Sequence, residues 1–348
     1  MNLLYPLLDP HSRRSRSPRG LCALGMMIKA PRAGASKTRL VPPLTHEEAA
    51  RLSASFLRDT AANIAEACAE SSGRAAAVQG VAVYTPAGAE AAFDGLLPQN
   101  FALLAQRGDT FGERLFHASA DLLRLGYESC CLVDSDSPTL PRALLAQAVE
   151  ELRRPGDRLV LGPSDDGGYY LIGVKRAHPR LFEEIDWSTS HVSAQTLLRA
   201  REIDLAVSLL PPWYDVDDAP SLLRLCDELS DAPAGDNAAS HTKGDIEREM
   251  TGDAARKTTG DALPDMKSDA ARDMEDDNAA RHAEGDGAFD TKDAAAPDTK
   301  DAGASGAKLT PYTATHTRAE LARLLDAEGR ARLRAEIAAA RAREESGA

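Results

Sequence analysis

The sequence has few aromatic residues, no paired-cysteine motif and no long apolar run. Phe, Trp and Tyr together make up 5% of the 348 residues. The five cysteines lack Cys-x-x-Cys spacing, which is typical of reduced core cysteines in a cytosolic protein, so we expect a cytoplasmic location and no disulfide framework. No apolar run approaches the length of a membrane-spanning helix, so we expect no membrane span.

The N-terminal residues 1–20 also lack the apolar stretch that a signal peptide needs. They carry four arginines among several serines. This composition predicts either a disordered basic leader or translation from an upstream start codon.

Negative charge is concentrated in one segment of the chain. The formal net charge is −13, and residues 231–308 alone contain 10 Lys and Arg against 19 Asp and Glu. This segment has few aromatic or β-branched residues, so it cannot bury enough apolar surface to offset the entropy of ordering. We expect a disordered acidic insertion whose partner the sequence does not identify, and no nucleic-acid partner. Residues 309–348 have leucines at helical spacing, which predicts a helical C-terminal segment.

Residues 21–230 alternate strand-like and helix-like patterns. This alternation predicts one α/β domain, a three-layer sandwich with a mostly parallel, Rossmann-like sheet. A Thr-x-x-Glu capping box at Thr45 marks the start of the first helix. The predicted strands are 21–28, 81–84, 101–104, 130–133, 159–161, 169–174 and 205–210. The predicted helices are 46–70, 112–125, 141–153, 191–201 and 220–228.

Two carboxylates, Asp134 and Asp136, follow directly after the apolar run that ends at Val133. Ligands of an open α/β sheet bind at the carboxyl ends of its strands. Mg²⁺ and Mn²⁺ prefer oxygen ligands, and Mg²⁺ often takes one or two carboxylates and completes its shell with water and phosphate. The pair therefore indicates a divalent-metal site, although an Asp-Ser-Asp turn before proline is also ordinary loop chemistry.

A cationic loop follows the first predicted strand. Lysine offers a point charge to phosphate, arginine can bind it through two hydrogen bonds, and glycine lets the backbone approach closely. The loop lacks the spacing of a Walker motif. Its placement favours phosphate binding over a merely solvated basic loop. The candidate phosphate-binding residues in this loop are Lys29, Arg32, Gly34, Lys37 and Arg39.

A second candidate nucleotide-binding loop spans residues 106–114 between a strand and a helix. A helix N-terminus favours anions, so Asp109, Gly112 and Arg114 are candidates for nucleotide contact. An ordinary strand-to-helix turn explains the same residues equally well.

Two further acidic clusters follow later strands. The adjacent carboxylates Asp165 and Asp166 are candidates for a general base, although Asp-Gly-Gly is also a strong hairpin signal. Of Asp217 and Asp218, one is expected to cap the following helix and the other to complete the metal shell. Asp217 is the residue that we assign to the metal.

Five motifs occur in order, beginning at Lys29, Gln106, Asp134, Gly162 and Trp213. Together they resemble the DUF2064 family of bacterial glycosyltransferase-like proteins over about residues 21–229. The resemblance implies a GT-A, or nucleotide-diphospho-sugar transferase, fold and a sugar-nucleotide donor.

The resemblance also implies roles for individual residues. Asp134 and Asp136 would bridge the donor diphosphate through Mg²⁺ or Mn²⁺, and the metal would stabilise the departing nucleoside diphosphate. The loop of Arg114 would face the base or ribose, and Asp166 could deprotonate a small-molecule acceptor. Phosphates would be held by Lys29, Lys37 and Arg39.

Two other functions are compatible with the same residues. Nucleotidyltransferases such as 2-phospho-lactate guanylyltransferase look similar through the cationic loop and the Asp-Gly-Gly element, and would release pyrophosphate from a nucleoside triphosphate. A non-catalytic nucleotide-binding protein is the second alternative, because a fold does not fix a function.

Overall fold

The computed structural model of the chain describes residues 4–12, 21–71, 77–231, 309–326, 329–331, 333–335 and 337–338. The acidic insertion predicted at 231–308 lies outside the described residues, apart from Asp231, which ends a helix. Within the described part, no helix is long and apolar enough to cross a membrane. All five cysteines are buried and unpaired.

A seven-stranded sheet forms the centre of the molecule. Its strand order is β3-β2-β1-β4-β6-β5-β7, and β6 is antiparallel to both of its neighbours while every other pairing is parallel. The strands are β1 Leu21–Lys29, β2 Ala77–Thr85, β3 Ala102–Ala105, β4 Ser129–Val133, β5 Arg158–Pro163, β6 Tyr169–Val174 and β7 Ala206–Leu209. The central strand β4 is buried along its whole length, as expected for a strand covered on both faces.

Helices cover both faces of this sheet. Apolar residues of α1 and α3 join one buried cluster with the sheet, and those of α2 and α4 join a second cluster on the opposite face. The molecule is therefore a three-layer α/β sandwich. The helices are α1 His46–Ser71, α2 Phe111–Arg124, α3 Arg142–Arg153, α4 Val192–Glu202, α5 Ala219–Asp231 and α6 Thr315–Leu324.

The predicted fold is confirmed. All seven predicted strands and all five predicted helices of residues 21–230 are present, with the largest difference at the start of β2, which begins at Ala77 instead of residue 81. The capping box at Thr45 forms: the Glu48 amide donates to the Thr45 hydroxyl, and the Thr45 amide donates to the Glu48 carboxylate.

The C-terminal helix α6 packs against α1 and α5. Its leucines join a third apolar cluster with residues of these two helices. The residue before α6, Ala314, has no side chain that could cap the helix. The cap comes from α1 instead, where the buried carboxylate of Asp59 accepts hydrogen bonds from the amides of His316 (3.0 Å) and Thr317 (2.6 Å).

The prediction of disorder over 1–20 is wrong for residues 4–12. Tyr5 is buried and its hydroxyl donates to the Leu97 carbonyl at 2.7 Å. Leu7 forms a parallel bridge with Leu103 of β3, the edge strand of the sheet. An unpaired sheet edge offers backbone donors and acceptors to a nearby segment, a contact that composition does not reveal.

Candidate active site

A polar cleft of about 520 Å³ crosses the carboxyl edge of the sheet. Lys29 ends β1, Thr85 ends β2, and Gln106 directly follows β3 at this edge. Asp134 enters the cleft after β4, and Asp215 enters it from the loop between β7 and α5. The topology thus brings together residues that are up to 186 positions apart, as expected for ligand sites of open α/β sheets.

An ammonium group lies between two of the predicted metal ligands. The Nζ atom of Lys37 is 2.9 Å from Oδ1 of Asp136 and 2.8 Å from Oδ1 of Asp217, and it also donates to the Val216 carbonyl at 2.8 Å. Burial alone would lower the pKa of Lys37, but the two carboxylates outweigh that effect and hold the pKa above its ordinary value. Conversely, Lys37 lowers the pKa of Asp217.

Asp134 has one carboxylate oxygen that is hydrogen-bonded and one that is not. Its Oδ2 accepts a hydrogen bond from the Ser137 hydroxyl at 2.8 Å, while its Oδ1 is shielded from solvent and has no hydrogen-bond partner among the described residues. Burial, followed by repulsion from Asp136 and Asp215, raises the pKa of Asp134 well above its ordinary value.

Asp215 and Asp166 both line the cleft. Burial first, then repulsion by Asp217 and Asp166, raises the pKa of Asp215 to about 7. Asp166 is exposed in the cleft, and one of its carboxylate oxygens accepts the Gly168 amide at 2.8 Å. The described carboxylates therefore carry more negative charge than Lys37 alone can neutralise.

Asp165 does not line the cleft, so the structure separates the two adjacent candidates for a base. Its carboxylate pairs with Arg224 at 2.6 Å, and that guanidinium lies 3.7 Å from the centre of the Tyr214 ring. Asp165 is therefore engaged on the α5 side of its turn.

The cationic loop contributes two further charges to the cleft. Lys29 and Arg39 line it, and neither forms an ion pair with any carboxylate in the described ranges. Arg32 and Gly34 are exposed and lie outside the cleft lining. The left-handed conformation of Gly34, with φ of 75°, serves the turn of the loop.

In the loop at 106–114, the three residues predicted to contact a nucleotide make contacts within the protein. Arg114 is buried and donates to the carbonyls of Gly108 and Asp109, both at 3.2 Å. The Asp109 amide donates to Glu113. Gly112 is needed for close packing, because a Cβ there would lie 2.7 Å from the Phe182 carbonyl oxygen. None of Asp109, Gly112 and Arg114 lines the cleft, and their contact with a nucleotide stays a prediction.

Several residues that line the cleft were not predicted from the sequence. Phe111 is 41% exposed and stacks edge-on against Trp187, with ring centres 5.1 Å apart. The hydroxyl-bearing residues 188–190 and Gln106 also line the cleft. The hydroxyl-rich run after Trp187 can be recognised in the sequence. It lies far from Asp134 and Asp136 along the chain, so the sequence does not show that it lines the same cleft. Asp218 is the cap of α5, since its carboxylate accepts the Ser221 amide at 2.8 Å.

In the described part of the chain, no three His, Cys, Asp or Glu side chains converge as a metal cage. Asp136 and Asp217 hold Lys37, so the predicted ligand set of Asp134, Asp136 and Asp217 does not form as a unit. Asp134 and Asp215 retain carboxylates that no cationic side chain pairs with in these ranges. Among the described residues of the cleft, Asp134 and Asp215 are thus the buried or half-buried carboxylates open to a divalent ion, beside the exposed Asp166.

The fold is of the nucleotide-diphospho-sugar transferase type. A protein of Desulfovibrio desulfuricans G20, provisionally described as a nucleotide-diphospho-sugar transferase, is 30% identical with a TM-score of 0.54, over 62% of this chain and 90% of its own. A CMP:2-keto-3-deoxy-manno-octonic acid synthetase complexed with CTP is 10% identical, with a TM-score of 0.38 over 59% of this chain and 96% of its own. The 4-diphosphocytidyl-2C-methyl-D-erythritol synthase of Anaerococcus prevotii DSM 20548 is 10% identical, with a TM-score of 0.40 over 63% and 100% of the two chains. No curated protein matches.

The chain belongs to the DUF2064 family. The model of that family, described as an uncharacterized protein conserved in bacteria, matches residues 68–189. This range includes the acidic pair after β4 and the Asp165–Asp166 turn, and it ends within the loop of Trp187.

Proposed function

We propose that this protein is a metal-dependent glycosyltransferase that moves a sugar from a nucleoside-diphosphate donor to the hydroxyl of a small acceptor. One observation carries the proposal. The unpaired carboxylate oxygen of Asp134 shares a cleft with Lys29 and Arg39, two cations that form no ion pair with a carboxylate of the described residues. Such a site attracts a ligand that brings both a divalent cation and phosphates.

The residues fit Mg²⁺ or Mn²⁺ held by two carboxylates. Burial is the main cause of the raised pKa values of Asp134 and Asp215, and repulsion from neighbouring carboxylates adds to it, which marks a site short of positive charge. Two carboxylates with water and phosphate are a common Mg²⁺ environment. When bound, the ion would neutralise charge on the diphosphate.

The cationic side chains position the donor. Lys29 and Arg39 would bind the phosphate oxygens, Lys29 as a point charge and Arg39 through its planar guanidinium. Both lie at the carboxyl end of β1 or in the loop that follows it. They also stabilise the negative charge that the leaving nucleoside diphosphate acquires.

Asp166 would act as the base. In the transfer, the acceptor oxygen bonds to the anomeric carbon while the bond from that carbon to the phosphate oxygen breaks. The acceptor proton passes to the free oxygen of Asp166, whose other oxygen is fixed by the Gly168 amide. Trp187 and Phe111 form an aromatic wall at the same side, a surface suited to the apolar face of a sugar ring.

The proposal is tested by assaying product release from a panel of nucleotide sugars with Mg²⁺ or Mn²⁺. We expect nucleoside diphosphate to appear with the intact chain and not with Asp134→Asn, while Asp165→Asn behaves like the intact chain. Pyrophosphate release from a nucleoside triphosphate would instead assign nucleotidyl transfer. Binding without turnover would indicate a non-catalytic nucleotide-binding protein, and absence of nucleotide binding would refute the proposal.

A further inference from the structure

The ammonium group of Lys37 lies where two acidic loops of the cleft approach each other. It bridges Asp136, on the loop after β4, and Asp217, on the loop before α5. We propose that Lys37 is a built-in cation that takes the place of a second divalent ion between Asp136 and Asp217, so that the protein binds at most one such ion, at Asp134 and Asp215.

The geometry of the Lys37 ammonium is that of a completed ion shell. An ammonium has three N–H donors, and three acceptors lie at 2.8 to 2.9 Å: one oxygen each of Asp136, Asp217 and the Val216 carbonyl. The side chain is only 7% exposed. Because all three N–H donors of Lys37 are engaged, none is left for a phosphate. In this respect Lys37 differs from Lys29 and Arg39.

The surrounding backbone is built to hold the ammonium in this position. Lys37 has a left-handed conformation, with φ of 51° and ψ of 43°, which is unfavourable for a residue with a Cβ. It precedes the short 3-10 helix Thr38–Leu40. Its Nζ also lies 5.6 Å from the centre of the Phe56 ring on α1, where the ring face favours a cation. A strained residue kept in one place by four partners has a positional role.

The charges of the cleft divide into two groups. Asp136 and Asp217 share the Lys37 cation, whereas Asp134 and Asp215 have no cationic side chain at ion-pair distance in the described ranges. Because the Lys37 ammonium occupies the space between Asp136 and Asp217, a divalent ion would bind at Asp134 and Asp215. The inference rests on the proposed function in this one respect, the affinity of Asp134 and Asp215 for a divalent ion.

The test counts Mn²⁺ ions bound by the full chain without nucleotide, from the electron paramagnetic resonance signal of free Mn²⁺. Lys37→Gly removes the ammonium and suits the left-handed backbone. We expect it to bind one Mn²⁺ more per chain than the unaltered protein. In Lys37→Gly combined with Asp217→Asn, the additional ion should be lost. Lys175→Met is the matched control, because Lys175 Nζ donates to two backbone carbonyls, at 2.8 Å each, and its replacement should leave the count unchanged.

Equal counts in Lys37→Gly and the unaltered protein, with both shown to be folded by circular dichroism, would overturn the inference. If Lys37→Gly does not fold, Asp136→Asn in the unaltered background decides the question. The inference expects the same count as in the unaltered protein, and loss of an ion would overturn it. The Mn²⁺ count does not depend on turnover. A negative product assay would therefore refute the proposed glycosyl transfer without changing the result for Lys37.

Discussion

Replacing Asp59 by alanine should detach the C-terminal helix α6 from the domain. Asp59 is 1% exposed, and its carboxylate accepts hydrogen bonds from two amides in the first turn of α6, those of His316 and Thr317. The first amides of a helix have no partner within the helix itself. Alanine would leave both of these amides unpaired at a buried contact.

The expected cost follows from the two hydrogen bonds. A hydrogen bond to a charged group contributes about 1.5–3 kcal/mol, so the loss of both should lower the free energy of unfolding by about 3–6 kcal/mol. That is a large part of the roughly 5–15 kcal/mol that stabilises a typical domain. Asp59→Asn retains one acceptor oxygen and should cost about half as much.

Urea unfolding followed by circular dichroism measures this difference. Glu70→Ala is the matched control on the same helix, because Glu70 is 57% exposed and its ion pair with Arg142 should contribute at most about 1 kcal/mol. Limited proteolysis should cut residues 309–326 faster in Asp59→Ala than in Glu70→Ala. Equal urea midpoints for the two variants would refute the assignment of Asp59 as the cap of α6.

Three further predictions concern the cleft. Asp166→Asn should lower kcat by about 10²-fold or more while Asp165→Asn leaves it nearly unchanged, and initial rates with one sugar nucleotide distinguish the two. Gly112→Ala should lower the free energy of unfolding by about 1–3 kcal/mol, because its Cβ would meet the Phe182 carbonyl at 2.7 Å, and an unchanged melting temperature would contradict this. Lys29→Met should weaken nucleotide binding about tenfold in calorimetry, and equal affinities at low salt would exclude a phosphate contact.

Local sequence patterns were sufficient for the sheet and for the position of the acidic pair. β4 is a short run of apolar and small residues that is buried throughout, and the chain leaves the sheet directly after it. The strand end therefore fixed where Asp134 lies. The Thr110–Glu113 capping box at the start of α2 is equally readable, and both of its hydrogen bonds form.

Contacts between distant residues could not be predicted in this way. Lys37 and Asp217 are 180 positions apart, and no periodicity shows that one neutralises the other. Gly112 illustrates a different limit. A glycine at the start of a helix can allow either a phosphate or another part of the protein to approach closely, and the sequence does not distinguish the two. At Gly112 the group that approaches closely is the segment that contains Phe182 and Trp187.

The capping of α6 by α1 also has a consequence for synthesis of the protein. Asp59 leaves the ribosome 257 residues before His316, a delay of roughly 10 to 50 s at ordinary translation rates of about 5–20 residues per second. During that interval Leu52 and Phe56 of α1, which share a buried cluster with Leu321 of α6, lack this part of their cover. The nascent chain therefore presents an apolar helix surface that a chaperone can bind, until α6 is released and docks.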